Sequence, residues 1–202
     1  AVIDYKMGSL HSVSKAIEFV GGDVIVTGDA KEIENADKIV LPGAGAFGEG
    51  MDRLRELGLI EVLQKEVQMK KKPFLGICLG MQLAATAGEE HGEHAGLGWI
   101  DARVVRFQFP TPNLSSSQLN LSASMLKIPH MGWDDVMFIK DSPIFAGLTS
   151  PTTFYFVHSY HVVPDDRSAV IGVCDYGGEF VTAMQKDNIF LMQFHPEKSQ
   201  KK

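Results

Sequence analysis

An α/β fold is predicted, with a mostly parallel central sheet, helices on both faces and a smaller antiparallel strand region in the C-terminal half. Three observations carry this. Short β-branched runs alternate with helical stretches over the first half of the chain, as in a sheet covered by helices. Those runs lack polar alternation, which suits strands buried on both faces. From about residue 98 the apolar segments become short and are separated by Pro and Gly turns, which favours antiparallel pairing.

Val2-Ile3 opens as a strand. Ser9 is positioned to cap a helix carrying Leu10, Val13, Ile17 and Val20 on one face, stopped by Gly21-Gly22. Val24-Ile25-Val26 and Lys38-Ile39-Val40-Leu41 read as the second and third strands. Pro42-Gly43-Ala44-Gly45 follows as a sharp loop at a strand's carboxyl end. Residues 51–71 read as one long amphipathic helix closed by Lys70-Lys71-Lys72, cations placed against the negative end of the helix dipole. Phe74-Leu75-Gly76-Ile77 is the next strand, and a helix is expected from Leu79 to Ala87. Val104–Phe107, Val136–Ile139 and Phe154–Val157 are the antiparallel candidates. Gly177-Gly178 turns Ala169–Val173 into Phe180–Met184, and Phe190–Phe194 is a final strand running into His195-Pro196-Glu197. Residues 108–124 are polar and Ser/Asn-rich, a surface loop or insertion. No internal repeat interrupts the reading of 1–202 as a single domain.

Composition limits what such a domain does. The 202 residues are 45% hydrophobic and 22% charged, the balance of an ordinary globular chain. Nineteen Lys and Arg against 25 Asp and Glu give a net charge of −6, which argues against a nucleic-acid or acidic-membrane surface as the main partner. Two cysteines, Cys78 and Cys174, cannot build a disulfide framework or a four-thiolate metal site. No apolar run approaches the ~20 residues of a membrane span, and Ala1-Val2-Ile3-Asp4 lacks a signal-peptide layout; a reducing, cytoplasmic setting is expected.

Gly76-Ile77-Cys78-Leu79-Gly80 is the sharpest chemical signal: strand, tight turn, helix, the cysteine version of the G-x-S-x-G nucleophile elbow. A side chain at either glycine would collide with neighbouring backbone. The turn lifts the sulfur above the sheet edge, the next helix N-terminus favours thiolate, and the Leu79 amide points where an oxyanion forms. Cys174 has no such flanks and reads as core. A nucleophile needs a base, and among seven histidines only His195 ends a buried strand with a carboxylate two residues on. In extended backbone Glu197 projects to the same side and orients the imidazole.

The remaining signals are weaker. Glu89-Glu90-His91-Gly92-Glu93-His94 has metal-ligand character, yet Gly92 and the lack of a third placed ligand favour a solvated loop; no metal and no cofactor is expected. His130, His158 and His161 read as structural histidines as readily as functional ones. The Gly43–Gly45 loop lacks the Lys-Ser/Thr of a phosphate loop, and its better use is to supply backbone donors near the sulfur.

Gly76-Ile77-Cys78-Leu79-Gly80-Met81-Gln82 with His195-Pro196-Glu197 resembles the class I, triad-type glutamine amidotransferases. Ile3-Asp4-Tyr5, Leu41–Phe47, Pro129-His130-Met131-Gly132-Trp133, Val157-His158-Ser159-Tyr160 and Tyr176–Phe180 with Glu197-Lys198-Ser199-Gln200 narrow the resemblance to the glutaminase subunits of imidazole glycerol phosphate synthase. It implies a flavodoxin-like domain that hydrolyses L-glutamine through a glutamyl thioester on Cys78, with His195 shuttling protons and Glu197 behind it. It implies an oxyanion held by the amides of Leu79 and the Gly43-Ala44-Gly45 loop, and substrate held by Gln82 and the backbone at Ser159 and Tyr160. The implied partner is a (β/α)8-barrel cyclase subunit in a heterodimer, which receives the ammonia, so the isolated chain should be a poor glutaminase. A paralogue feeding ammonia to another synthase, such as one for surface sugars, shares the same triad; a non-catalytic module on this fold would not need it. Lys6 and Ser9 stand where the family more often has Gly and Asn, and relatives generally continue past this chain's last residue into a closing helix.

Overall fold

The computed structural model describes residues 1–109 and 126–199. Its parallel half is built in chain order from β1 (Val2–Ile3), α1 (Leu10–Phe19), β2 (Val26–Thr27), α2 (Ala30–Asn35), β3 (Ile39–Leu41), α3 (Phe47–Glu56), α4 (Leu59–Leu63), β4 (Phe74–Ile77) and α5 (Leu79–Leu83). A second set follows: β5 (Ala85–Gly88), β6 (His94–Ala95), β7 (Ile100–Arg106), β8 (His130–Phe138), β9 (Thr152–His158), β10 (Tyr160–Pro164), β11 (Val170–Asp175), β12 (Glu179–Lys186) and β13 (Ile189–Met192).

The large sheet runs β2-β1-β3-β4-β13-β12-β11-β8-β9, and the smaller one β10-β7-β5-β6. β1 to β4 are parallel, and β13 joins them parallel to β4 with Ile189 opposite Phe74 and Met192 opposite Ile77. From β12 onward the large sheet continues antiparallel. This register is what makes a site. The loops after β3, β4 and β13 all leave the same carboxyl edge of neighbouring strands, so Pro42–Gly45, Cys78 and Gln193–His195 converge there.

Four expectations need correction. The helix over 51–71 is broken: Gly58 adopts φ 65 and closes α3, with Leu57 and Gly58 N–H donating to the Arg53 and Arg55 carbonyls. The chain then resumes as α4 and widens into a π-helical turn over Gln64–Met69. The helix expected to reach Ala87 ends at Leu83, because Leu97, Gly98, Trp99 and Ile100 donate to the Leu83, Ala84 and Ala85 carbonyls and β5 pairs with β7. Tertiary pairing here overrides the helix propensity of an Ala-rich run. On α1 only Val13 of the expected stripe is fully buried; Val20, just past the helix, is 79% exposed, and Ser9 bonds the Ser12 hydroxyl rather than capping.

Of the triple lysine, Lys72 serves another helix. Lys72 Nζ donates to the Ile33 and Glu34 carbonyls at the end of α2, and both Lys70 and Lys72 pair with the buried Glu66 at 2.7 and 3.0 Å. Of the loop expected over 108–124, Gln108 and Phe109 are described, Phe109 stacking on Phe107; residues 110–124 lie outside the described residues. No described helix is long and apolar enough to cross a membrane.

Candidate active site

Cys78 sits between β4 and α5 at φ 53 and ψ −106, a conformation that non-glycine residues rarely adopt. The flanking glycines explain how the turn closes. A Cβ on Gly76 would lie 2.7 Å from the Gly80 carbonyl oxygen, and one on Gly80 would lie 1.8 Å from the Leu41 oxygen. The Cys78 N–H donates to the Met192 carbonyl at 2.8 Å, which ties the elbow to β13. With five residues, α5 is too short for its dipole to do much for the sulfur. Neighbouring side chains do more.

His195 follows β13 and its N–H donates to the Tyr155 carbonyl at 2.9 Å. Its Nδ1 lies 2.7 Å from Glu197 Oε1, both side chains being almost wholly buried. The reach arises differently from the extended i, i+2 geometry expected: Pro196–Lys198 form a 3₁₀ turn, and Lys198 N–H donates back to the His195 carbonyl. Ser199 Oγ also donates to that carbonyl at 2.6 Å and accepts from the Tyr155 N–H, so the segment from His195 to Ser199 is clamped to β9. Burial alone would lower the basicity of His195, but Cys78 and Glu197 outweigh it and push the ring up to about 9. Nδ1 is committed to Glu197 and Nε2 makes no other hydrogen bond, which leaves Nε2 for the sulfur.

The loop after β3 lies against the elbow. A Cβ on Gly43 would meet Leu79 Cβ at 3.0 Å and the Tyr5 hydroxyl at 2.0 Å, so only glycine fits there. Gly45 at φ 123 packs over Met7, and Gly8 packs on the Gly43–Ala44 peptide. Lys6, in the same β1–α1 loop, takes φ 66, the left-handed region a glycine enters without strain. The Gly43 backbone is thus packed against Leu79, the residue that follows Cys78. Glu90, read from sequence as part of a solvated loop, fixes the loop's exit: its Oε2 accepts the Phe47 N–H at 2.9 Å.

Gln82 is also here, 5% exposed, but its amino group is already used. Nε2 donates to the Tyr160 carbonyl and to Gln193 Oε1, each at 3.0 Å; only Oε1 remains for a ligand. The Ser159 carbonyl is similarly engaged by the Phe107 N–H. Gln193 in turn donates through Nε2 to Cys78 Sγ at 3.6 Å. Sequence reasoning passed over Gln193, although a polar residue two before His195, at the end of an apolar run, is expected to share its side. It passed over Tyr5 too, whose wholly buried hydroxyl has no hydrogen-bond partner and whose pKa is raised by burial and by Cys78.

The other histidines fall outside the reacting group. His158 Nδ1 donates to the Tyr160 carbonyl at 2.8 Å, its Nε2 lies 3.1 Å from His130 Nδ1, and His130 Nε2 lies 2.7 Å from Asp134. Burial is the main cause that pushes His158 down to about 3. His161 stacks on Phe107 at 4.5 Å. His94 packs its ring under Gly48. Among the described residues no group of three or more His, Cys, Asp or Glu is arranged to hold a metal ion. Cys174 is buried, and that burial pushes its thiol up to about 12.

The family model for class-I glutamine amidotransferases matches residues 1–202. The chain is 48% identical over 202 residues to the imidazole glycerol phosphate synthase subunit HisH of Aquifex aeolicus, covering 100% of this chain and 90% of that protein. It is 47% identical to the HisH subunit of Syntrophotalea carbinolica over 199 residues, 98% and 92% of the two chains. Among solved structures, a glutamine amidotransferase from Thermotoga maritima superposes with TM-score 0.63 at 18% identity, covering 97% of this chain and 74% of that one. The glutaminase domain of Trypanosoma brucei CTPS with bound acivicin gives 0.61 at 17% identity, covering 97% and 84%.

Proposed function

The chain belongs to the class-I glutamine amidotransferases, and from that premise we propose that it is the glutaminase subunit of an imidazole glycerol phosphate synthase, acting in histidine biosynthesis. Cys78, His195 and Glu197 form its triad. Cys78 Sγ attacks the side-chain amide carbon of glutamine, and the carbonyl oxygen gathers negative charge as the C–S bond forms. The amides of Leu79 and of the Gly43–Gly45 loop receive that charge in a site from which water is largely excluded. His195 Nε2 takes the thiol proton as the sulfur attacks and passes it to the departing nitrogen, which leaves the tetrahedral intermediate as ammonia. The γ-glutamyl thioester is then hydrolysed by a water that His195 deprotonates, releasing glutamate and the free thiol. Glu197 holds the ring with Nε2 toward the sulfur and stabilises the imidazolium at each turn.

The observation that carries this reading is the buried 2.7 Å contact between His195 and Glu197 beside a cysteine held in a strained elbow. Neither the strain nor the burial of two ionisable groups serves packing, and both are expected where chemistry is done. The partner is a (β/α)8-barrel cyclase subunit that uses the ammonia, in a cytoplasmic heterodimer. Its docking face includes the outer side of β8, where Met131, Trp133 and Met137 are 64%, 46% and 48% exposed in alternation with inward residues. Large apolar side chains left in water in this way mark an association surface.

Cys78 is only 6% exposed in this structure, so glutamine needs the site to open. Turnover by the isolated chain should therefore be low, and the cyclase with its nucleotide ligand bound shifts the Gly43–Gly45 loop toward the donor-presenting state. The test is a glutaminase assay with and without a cyclase subunit and its ligand. Activity that appears with the mixture supports the reading; equal turnover by the chain alone refutes the partner dependence, and turnover surviving Cys78→Ala refutes the mechanism.

A further inference from the structure

We propose that Gln193 is a further catalytic residue, whose side-chain amide N–H donates to Cys78 Sγ and stabilises the thiolate, and that a main-chain carbonyl fixes the direction of this hydrogen bond. The proposal rests on Cys78 being the nucleophile, as argued above.

A glutamine side chain can present either end to a neighbour, so the donor must be assigned from its surroundings. Here the assignment begins at the Tyr160 carbonyl, which can only accept. His158 Nδ1 and Gln82 Nε2 both point to it, at 2.8 and 3.0 Å. Turning Gln82 round would set its own oxygen against that carbonyl. Gln82 therefore shows its amino group to this corner, and the second N–H goes to Gln193 at 3.0 Å. Gln193 must meet that donor with Oε1, which leaves Nε2 facing the sulfur at 3.6 Å.

Backbone pairing holds both ends of the contact. The Gln193 N–H donates to the Thr182 carbonyl and the Cys78 N–H to the Met192 carbonyl, each at 2.8 Å. Gln193 is wholly buried and Cys78 nearly so, so water does not compete for either group and the bond strengthens accordingly. A hydrogen bond to an ionised acceptor is stronger than one to its neutral form. The amide thus favours thiolate over thiol and complements His195, which approaches from the same strand side two residues later. With the helix dipole of α5 weak, these two side chains carry the electrostatic support of the nucleophile.

The test is the pH profile of Cys78 alkylation by iodoacetamide in the full chain, followed by mass spectrometry of the Cys78 peptide. Gln193→Met removes the donor without adding a charge; its profile midpoint should rise by about one pH unit, with an about tenfold slower reaction near neutral pH and an unchanged plateau at high pH. A change in packing alone would alter the plateau and leave the midpoint in place. Gln193→Glu should move the midpoint further, because its carboxylate also opposes the thiolate. Gln82→Met adds no charge and does not touch the sulfur, yet it takes away the donor that fixes the Gln193 amide and should also raise the midpoint. It decides the matter if substitution at 193 prevents folding. Midpoints equal to wild type in the folded variants would overturn the proposal. Glutamine turnover in the complex, measured alongside with Cys78→Ala, separates the two levels: its loss with unchanged midpoints removes only Gln193, whereas its survival removes Cys78 from the mechanism.

Discussion

Glu197→Gln separates the charge of the proposed triad acid from its shape. In the wild type, Glu197 Oε1 lies 2.7 Å from His195 Nδ1, with the two side chains 4% and 5% exposed. His195 is pushed from an ordinary 6.5 up to about 9: burial opposes the shift, and Cys78 and Glu197 overcome it. That gap is a preference for the imidazolium of roughly 3 kcal/mol, shared between sulfur and carboxylate. A carboxamide still accepts from Nδ1–H but brings no charge, so about half the preference should vanish and the ring should titrate nearer to about 8. The barrier to thioester formation rises by a similar amount, about tenfold in turnover, and up to ~10⁴-fold where the amide turns its amino group to the ring and imposes the other tautomer. Stability should respond as well. Because the folded value lies above the unfolded one, the pair stabilises fully below about pH 6.5 and loses that contribution as pH rises through about 9. Urea melts at those two pH values should show this decline in the wild type and about half of it in the variant. Carbon-edited NMR of the histidine Cε1–H groups reads the titration directly. A His195 signal still titrating near 9 in Glu197→Gln would refute the assignment of the shift to the carboxylate.

Gly80→Ala places a Cβ 1.8 Å from the Leu41 carbonyl oxygen inside the sheet, and urea melts should show a loss of at least about 3 kcal/mol. Gly43→Ala would collide with the Tyr5 hydroxyl at 2.0 Å; a thermal double-mutant cycle should show Tyr5→Phe neutral or stabilising alone, since that hydroxyl is buried without a partner, and partly rescuing the alanine. For Glu66, burial raises the carboxyl and hydrogen bonds from Lys70 and Lys72 lower it further, leaving it below its ordinary value. Its contribution is present above the unfolded value and lost as pH falls through the folded one, so Glu66→Gln should cost about 2 kcal/mol at pH 7 and much less in acid, by urea melts at both. Trp133→Ala should weaken association with the cyclase subunit about ten- to a hundredfold in titration calorimetry.

The amino-acid sequence by itself determined the strands of the parallel half, the nucleophile elbow, and the pairing of His195 with Glu197. Each of these is written in local terms: β-branched runs, glycines two residues either side of Cys78, a carboxylate two residues past a strand-ending histidine. Tertiary structure alone decided what depended on contacts between distant segments. The Ala-rich run after Leu83 became a strand because β7 arrived to pair with it, and the third lysine at Lys72 turned to the end of a helix some forty residues away. Most of all, the parallel pairing of β4 with β13 sets residues 78 and 193–195 side by side across more than a hundred positions of chain. Neither the use of Gln82's amino group nor the donor that Gln193 turns to the sulfur is visible until that register is formed. A hydrogen bond's direction depends on which groups surround it, and only the folded chain brings those groups together.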